Sequence, residues 1–229
     1  VPMDLSVVFE DEHVLVIDKP AGMPVHPSQG HYENTLANGI AWYYRNEATP
    51  FVFRAVNRLD RDTSGLVLLA KNPYSSCVLS DAVKDHTIHR EYAAIVSGKT
   101  DASGTIDLPI ARKDGSTIER VCDPERGETA VTHYRTFAYN KDADISFIRL
   151  LLETGRTHQI RVHMASIGHP LLGDTVYGAK KPVPGLAGQC LHARKLSFVH
   201  PRTGERMTVE CPLPHWFTAV LDRLEHGRL

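Results

Sequence analysis

The apolar residues of this chain fall in short runs whose spacing changes along its length. Residues 7–9 and 14–17 are apolar stretches separated by the polar Glu10-Asp11-Glu12-His13 segment, which predicts a β-hairpin closing on Lys19-Pro20-Ala21-Gly22. Residues 34–45 carry Leu36, Ile40 and Tyr44 at helical spacing. Residues 66–70 form an unbroken apolar run suited to a buried strand. Asn72 followed by Pro73 then supplies the N-cap and first-turn residue of a helix reaching Asp85. Further strands are expected over residues 91–96, 130–139 and 145–152, all dense in β-branched, aromatic and aliphatic side chains.

After Gly155 the pattern turns helical again. Ile160, Met164 and Ile167 share one face, and Gly168 and Pro170 end the element. Leu196 and Phe198, then Met207, Val209 and Cys211, alternate around His200-Pro201-Arg202-Thr203-Gly204 and predict a second hairpin. Residues 216–224 form an amphipathic helix through Phe217, Val220, Leu221 and Leu224. Strands in runs with interspersed helices, lacking a regular βαβ alternation, predict an α+β fold with a mixed, mostly antiparallel central sheet.

Composition narrows the class. At 229 residues with 42% hydrophobic and 23% charged residues, the chain is long and apolar enough to bury a core without a metal or disulfide staple. It reads as a single domain over residues 1–229; the start at Val1 rather than Met leaves an upstream segment open. Twenty-six Lys and Arg against 27 Asp and Glu give a net charge of −1, which excludes a polybasic tail protein but not a local basic face for nucleic acid. Cys77, Cys122, Cys190 and Cys211 lie far apart with no C-x-x-C pair, so free thiols and a reducing, cytoplasmic setting are expected. No apolar run is long enough for a membrane span.

The densest polar cluster is Asn57-Arg58-Leu59-Asp60-Arg61-Asp62-Thr63-Ser64-Gly65, set directly against the buried strand at 66–70. As a calcium loop, Asp60, Asp62, Ser64 and Gly65 occupy positions 1, 3, 5 and 6, but the bidentate Glu needed at position 12 is Lys71. As a phosphohydrolase D-x-D pair, Asp60 and Asp62 should end an apolar strand, and the residues before them are half polar. The third reading is a catalytic carboxylate on an anchored loop, flanked by Arg58 and Arg61. Elsewhere Arg156 and Arg161 bracket a helix start, with Arg161 one turn beyond His158. His158 and His163 are about 140° out of phase on a helix, a poor ligand pair, and no H-E-x-x-H or phosphate-loop glycine pattern occurs. Neither metal nor nucleotide cofactor is expected.

Arg-Leu-Asp-Arg-Asp-Thr-Ser-Gly followed by an apolar strand and Ala-Lys resembles the signature of the RluA-type pseudouridine synthases of the large ribosomal subunit. So do four further segments in order: FEDEHVLVIDKPAGMPVHP, REYAAIVSG, ETGRTHQIRVHMASIGHPLLGDTVYG and LHARKLSFVHP. The resemblance covers nearly the whole chain and implies an enzyme that isomerises uridine to pseudouridine in ribosomal RNA, or in transfer RNA, without a cofactor and as a monomer. It makes Asp60 the catalytic residue, Tyr92 the ring that packs on the target uracil, and Arg161 the cation beside the carboxylate. Arg58, Arg61, Arg156 and His158 become RNA contacts. One departure stands out: Asn57 occupies the position where the family usually has His, and an amide hydrogen-bonds but does not titrate. A catalytically silent RNA-binding module and a metal-dependent phosphohydrolase are the competing functions; the intact R-L-D loop, Tyr92 and Arg161 weigh against the first.

Overall fold

The computed structural model describes residues 2–28, 30, 32–46 and 51–225, with the side chains of Leu224 and Glu225 outside that description. In chain order the elements are β1 (Ser6–Glu10), β2 (Val14–Lys19), α1 (Leu36–Tyr43), β3 (Ser64–Ala70), α2 (Pro73–Lys84), β4 (His89–Ser97), β5 (Ser103–Asp107), β6 (Ile110–Arg112), β7 (Arg120–Cys122), β8 (Val131–Asn140), β9 (Ile145–Leu152), α3 (Gln159–Ser166), β10 (Leu191–Val199), β11 (Arg206–Glu210) and α4 (His215–Glu225). The chain divides into two compact units. The first comprises Val1–Arg90 and Ala193–Cys211, the second Glu91–His192 and Pro212–Leu229.

In the first unit β2 runs antiparallel to both β1 and β3, in register from Val14↔Ala70 to Lys19↔Gly65. The β1–β2 turn forms because the Asp11 carboxylate accepts the His13 and Val14 amides at 2.7 and 2.8 Å. β10 lies beside β3, and β11 pairs antiparallel with β10 from Lys195↔Glu210 to Val199↔Arg206. Val14, Val16, Leu66, Leu68, Leu196 and Phe198 form the core with Leu79 of α2. α2 starts as expected, with Asn72 Oδ1 accepting the Ser75 amide at 2.9 Å. α1 is shorter than its periodicity suggests, because Thr35 and Asn38 form a capping box at its start and Tyr44 is already its C-cap.

In the second unit β9 lies between β4 and β8, and β8 pairs antiparallel with β9 and β5. Ala93, Ile95 and Ile145 pack against Phe217 and Val220 of α4, so one sheet face belongs to that helix. α3 bonds to the other face through Thr132 and Val131. Strand alternation places Tyr92, Ala94 and Val96 on the face away from α4. Each strand pair with a described register is antiparallel, and with four helices among the described residues the architecture is the expected α+β. β5, β6 and β7 carry no usable sequence pattern; they are three to five residues long, and β5 is defined by its pairing with β8. All four cysteines are free, and no helix among the described residues is long and apolar enough to cross a membrane.

Candidate active site

The R-L-D segment is anchored to β3 by a backbone-like clamp. Asn57 is buried, donates from Nδ2 to Leu66 O at 3.1 Å and accepts the Leu68 amide on Oδ1 at 2.8 Å. Burial then alternates: Leu59 points in, Arg58 is exposed and Asp60 is partly exposed. The chain turns at once, with the Thr63 amide donating to Asp60 O at 3.2 Å, and enters β3 at Ser64. Gly65 has φ +111° and lies so close to the next strand that a Cβ would sit 2.3 Å from Ala193 O, which explains a glycine directly after this turn.

Lys19, at the end of β2, holds the turn from beneath. It is fully buried, and its Nζ donates to Pro20 O, Met23 O and Arg61 O at 2.8, 2.8 and 3.0 Å, three donors meeting three carbonyls. Burial pulls the ammonium down to about 7, against the opposing pull of the Asp62, Asp60 and Asp18 carboxylates. Asp62 is occupied by Arg61, which donates from Nε and Nη2 at 2.8 and 2.9 Å to its two oxygens. This geometry disfavours both metal readings: Asp62 is already engaged by a guanidinium, a buried ammonium sits in the same field, and the supposed calcium loop from Ser64 onward is a fully buried strand. Arg58 lies near His26, whose imidazole is pushed down by burial and by that guanidinium.

The second unit carries the remaining candidates. Tyr92 is 5% exposed. Arg156 is committed within the protein, donating to Thr129 O at 3.0 Å and pairing with Glu128. His158 has φ 59° and starts α3 without a side-chain cap, and the Gln159 side chain reaches back to accept the Arg156 amide at 2.9 Å. His158 Nδ1 meets the Tyr177 hydroxyl at 2.8 Å. α3 is not amphipathic, as its spacing suggests, but buried from Gln159 through Met164, Arg161 included, while Ile167 beyond its end is exposed. His163 is no ligand partner for His158; it bonds Thr132 Oγ1 and Leu108 O.

Within the second unit Arg161 makes a planar fork with Asp174, a partner that sequence reasoning did not name. Nε donates to Oδ2 at 2.6 Å and Nη2 to Oδ1 at 3.0 Å, with Tyr177's ring centroid 5.1 Å from Cζ. Burial pushes the Asp174 carboxyl up, but Arg161 and the Tyr177 and Val176 amides outweigh it and hold the pKa below its ordinary value. Asp60, Arg58 and Arg61 thus belong to the first unit; Tyr92, Arg156, His158 and Arg161 belong to the second. Sequence reasoning missed Lys19 and Asp174. The available signals were a lysine ending an otherwise apolar strand before Pro-Ala-Gly, and a Gly-Asp-x-x-Tyr turn shortly after the helix that carries Arg161.

Residues 13–166 match the profile of the family described as RNA pseudouridylate synthase. The chain is 44% identical over 212 residues to an uncharacterized RNA pseudouridine synthase of Bacillus subtilis (strain 168), covering 92% of this chain and 69% of that protein. It is 42% identical over 238 residues to ribosomal large subunit pseudouridine synthase D of Pseudomonas aeruginosa, covering 99% and 73%. The fold is similar to that of human RNA pseudouridylate synthase domain containing 1, with a TM-score of 0.74, 23% identity, and coverage of 97% of this chain and 95% of that one. A motif-rich match over two thirds of the chain, relatives above 40% identity and a shared fold converge: the chain belongs to the RNA pseudouridine synthase family, enzymes that isomerise uridine within RNA.

Proposed function

We propose that this enzyme forms pseudouridine in RNA of the large ribosomal subunit, with Asp60 as the catalytic carboxylate and Tyr92 and Arg161 serving the same reaction. The substrate assignment is supported by relatives named for that subunit. The reaction breaks the N1–C1′ bond of uridine, turns the base and rejoins it through C5, so atoms balance without redox partner or group donor. It calls for a carboxylate at the sugar, as nucleophile on C1′ or as base toward the 2′ proton. The observation that carries Asp60 is its mounting. The carboxylate is partly exposed on a turn whose neighbouring backbone is held by the buried Lys19 ammonium, while the approach to that turn is clamped to β3 through Asn57.

The target base must leave its stack to react. On the family resemblance Tyr92, a nearly buried aromatic ring, packs on the extruded base, and exposed Arg58 suits the space the base vacates. On this reading the protein works as a monomer in the cytoplasm. Single-turnover assays on large-subunit RNA transcripts and on transfer RNA test it. Asp60→Asn is expected to keep its melting temperature and RNA affinity and to yield no product; product from the folded variant removes Asp60 from the chemistry. Turnover of transfer RNA alone by the wild type overturns the substrate while leaving the residue assignment in place.

A further inference from the structure

We propose that Asp174 is a positioning residue for the isomerisation, acting through Arg161. This rests on the reading that Arg161 serves the reaction. Asp174's side chain is wholly buried, and Arg161's is 8% exposed. Within the second unit the carboxylate accepts four N–H groups: Nε and Nη2 of Arg161, and the Val176 and Tyr177 amides at 3.0 and 3.1 Å. The two amides belong to the turn that follows Asp174, so they fix the carboxylate to its own backbone. The two guanidinium bonds then fix the plane of Arg161, since a fork on one carboxylate leaves no rotation about the last side-chain bond.

Tyr177 completes the support. Its ring lies against the guanidinium, and its hydroxyl is held in place by the Arg120 amide at 2.8 Å and by His158 Nδ1. A buried ion pair is in itself a poor source of stability, because desolvating both charges cancels most of their attraction. What four donors and a ring achieve is a fixed direction for one cation, the property that a site handling a developing charge requires.

Single-turnover rates at saturating enzyme, RNA dissociation constants and melting temperatures separate positioning from mere structure. Asp174→Asn keeps the shape but loses the charge that orients the fork; it is expected to bind RNA within a few fold of wild type and to react at least about tenfold more slowly while folded. Arg161→Lys keeps a cation opposite Asp174 but offers no plane to orient. Adding Asp174→Asn to it should slow turnover by less than about threefold more, the signature of two residues acting as one unit. Where Asp174→Asn does not fold, Asp174→Glu retains the charge, displaces the carboxylate by one methylene, and is expected to be slow for the same reason. A folded Asp174→Asn or Asp174→Glu variant that turns over at the wild-type rate overturns the proposal, as do rate losses that multiply in the double variant. A wild-type rate for Arg161→Lys instead overturns the reading of Arg161 on which the proposal stands.

Discussion

Lys19 is the side chain in which burial and charge oppose each other most directly. An unfolded lysine titrates near 10.4, whereas burial brings Lys19 down to about 7 in the folded protein. Below that value both states carry the proton and the full cost of burying it is present. As pH rises from 7 toward 10 the unfolded chain holds the extra proton, so the folded state gains. Relative to Lys19→Met, wild-type unfolding free energy should therefore rise by up to about 1.4 kcal/mol per pH unit across that window. Urea unfolding of both proteins at several pH values checks this, and a difference that stays flat means the amine keeps its ordinary pKa.

Asn57 shows what the sequence could and could not say at this scale. Its presence before Arg58-Leu59-Asp60 in place of a histidine was legible. That its amide mimics a peptide group against Leu66 and Leu68 was not, because residue type does not reveal side-chain direction. The Gly-Asp-x-x-Tyr turn marked Asp174, but its pairing with Arg161 was illegible for a related reason: the two lie 13 residues apart across a turn, a separation that matches no helical or strand period.

At the level of elements, long and strongly patterned segments were read well: the boundaries of β9 and the start of α2 coincide with expectation. The failures share a cause. β5, β6 and β7 exist through their pairing partners, and α3 is buried at every position from Gln159 through Met164, so a hydrophobic stripe could not report its burial. The turn into β3 gives a sharper test of close approach. Gly22 and Gly65 both have positive φ, at 84° and 111°, but only at Gly65 would a Cβ meet neighbouring backbone, three atoms of Ala193 within 2.7 Å. Gly22→Ala should cost on the order of 1–2 kcal/mol, the strain of the left-handed conformation alone. Gly65→Ala must in addition push β3 off β10, and a loss of about 3 kcal/mol or more is expected. Equal shifts in urea midpoint for the two variants would show that the strand gives way freely.

For the molecule as a whole, a net charge of −1 means that RNA must be held by a local face rather than by an overall field. The cations of the two motif segments that could form it are Arg58, Arg61, Lys71, Arg156 and Arg161. Five phosphate contacts to single-stranded RNA would give a salt slope of about −3.5. The structure shows most of these cations engaged: Arg61 with Asp62, Lys71 with Glu10, Arg156 with Glu128 and Arg161 with Asp174. A cation that must leave a carboxylate to meet a phosphate contributes less than a full contact, so the logarithm of affinity should fall with the logarithm of salt well below that slope. The exposed Arg156–Glu128 pair allows the masking to be lifted without touching the core. Glu128→Gln frees Arg156 from its counter-charge while leaving its bond to Thr129 O, so binding should tighten at low salt and the slope steepen by up to about 0.7. Titrations of wild type and Glu128→Gln against one RNA at several salt concentrations decide the matter, and superimposable lines would show that Arg156 never faces a phosphate.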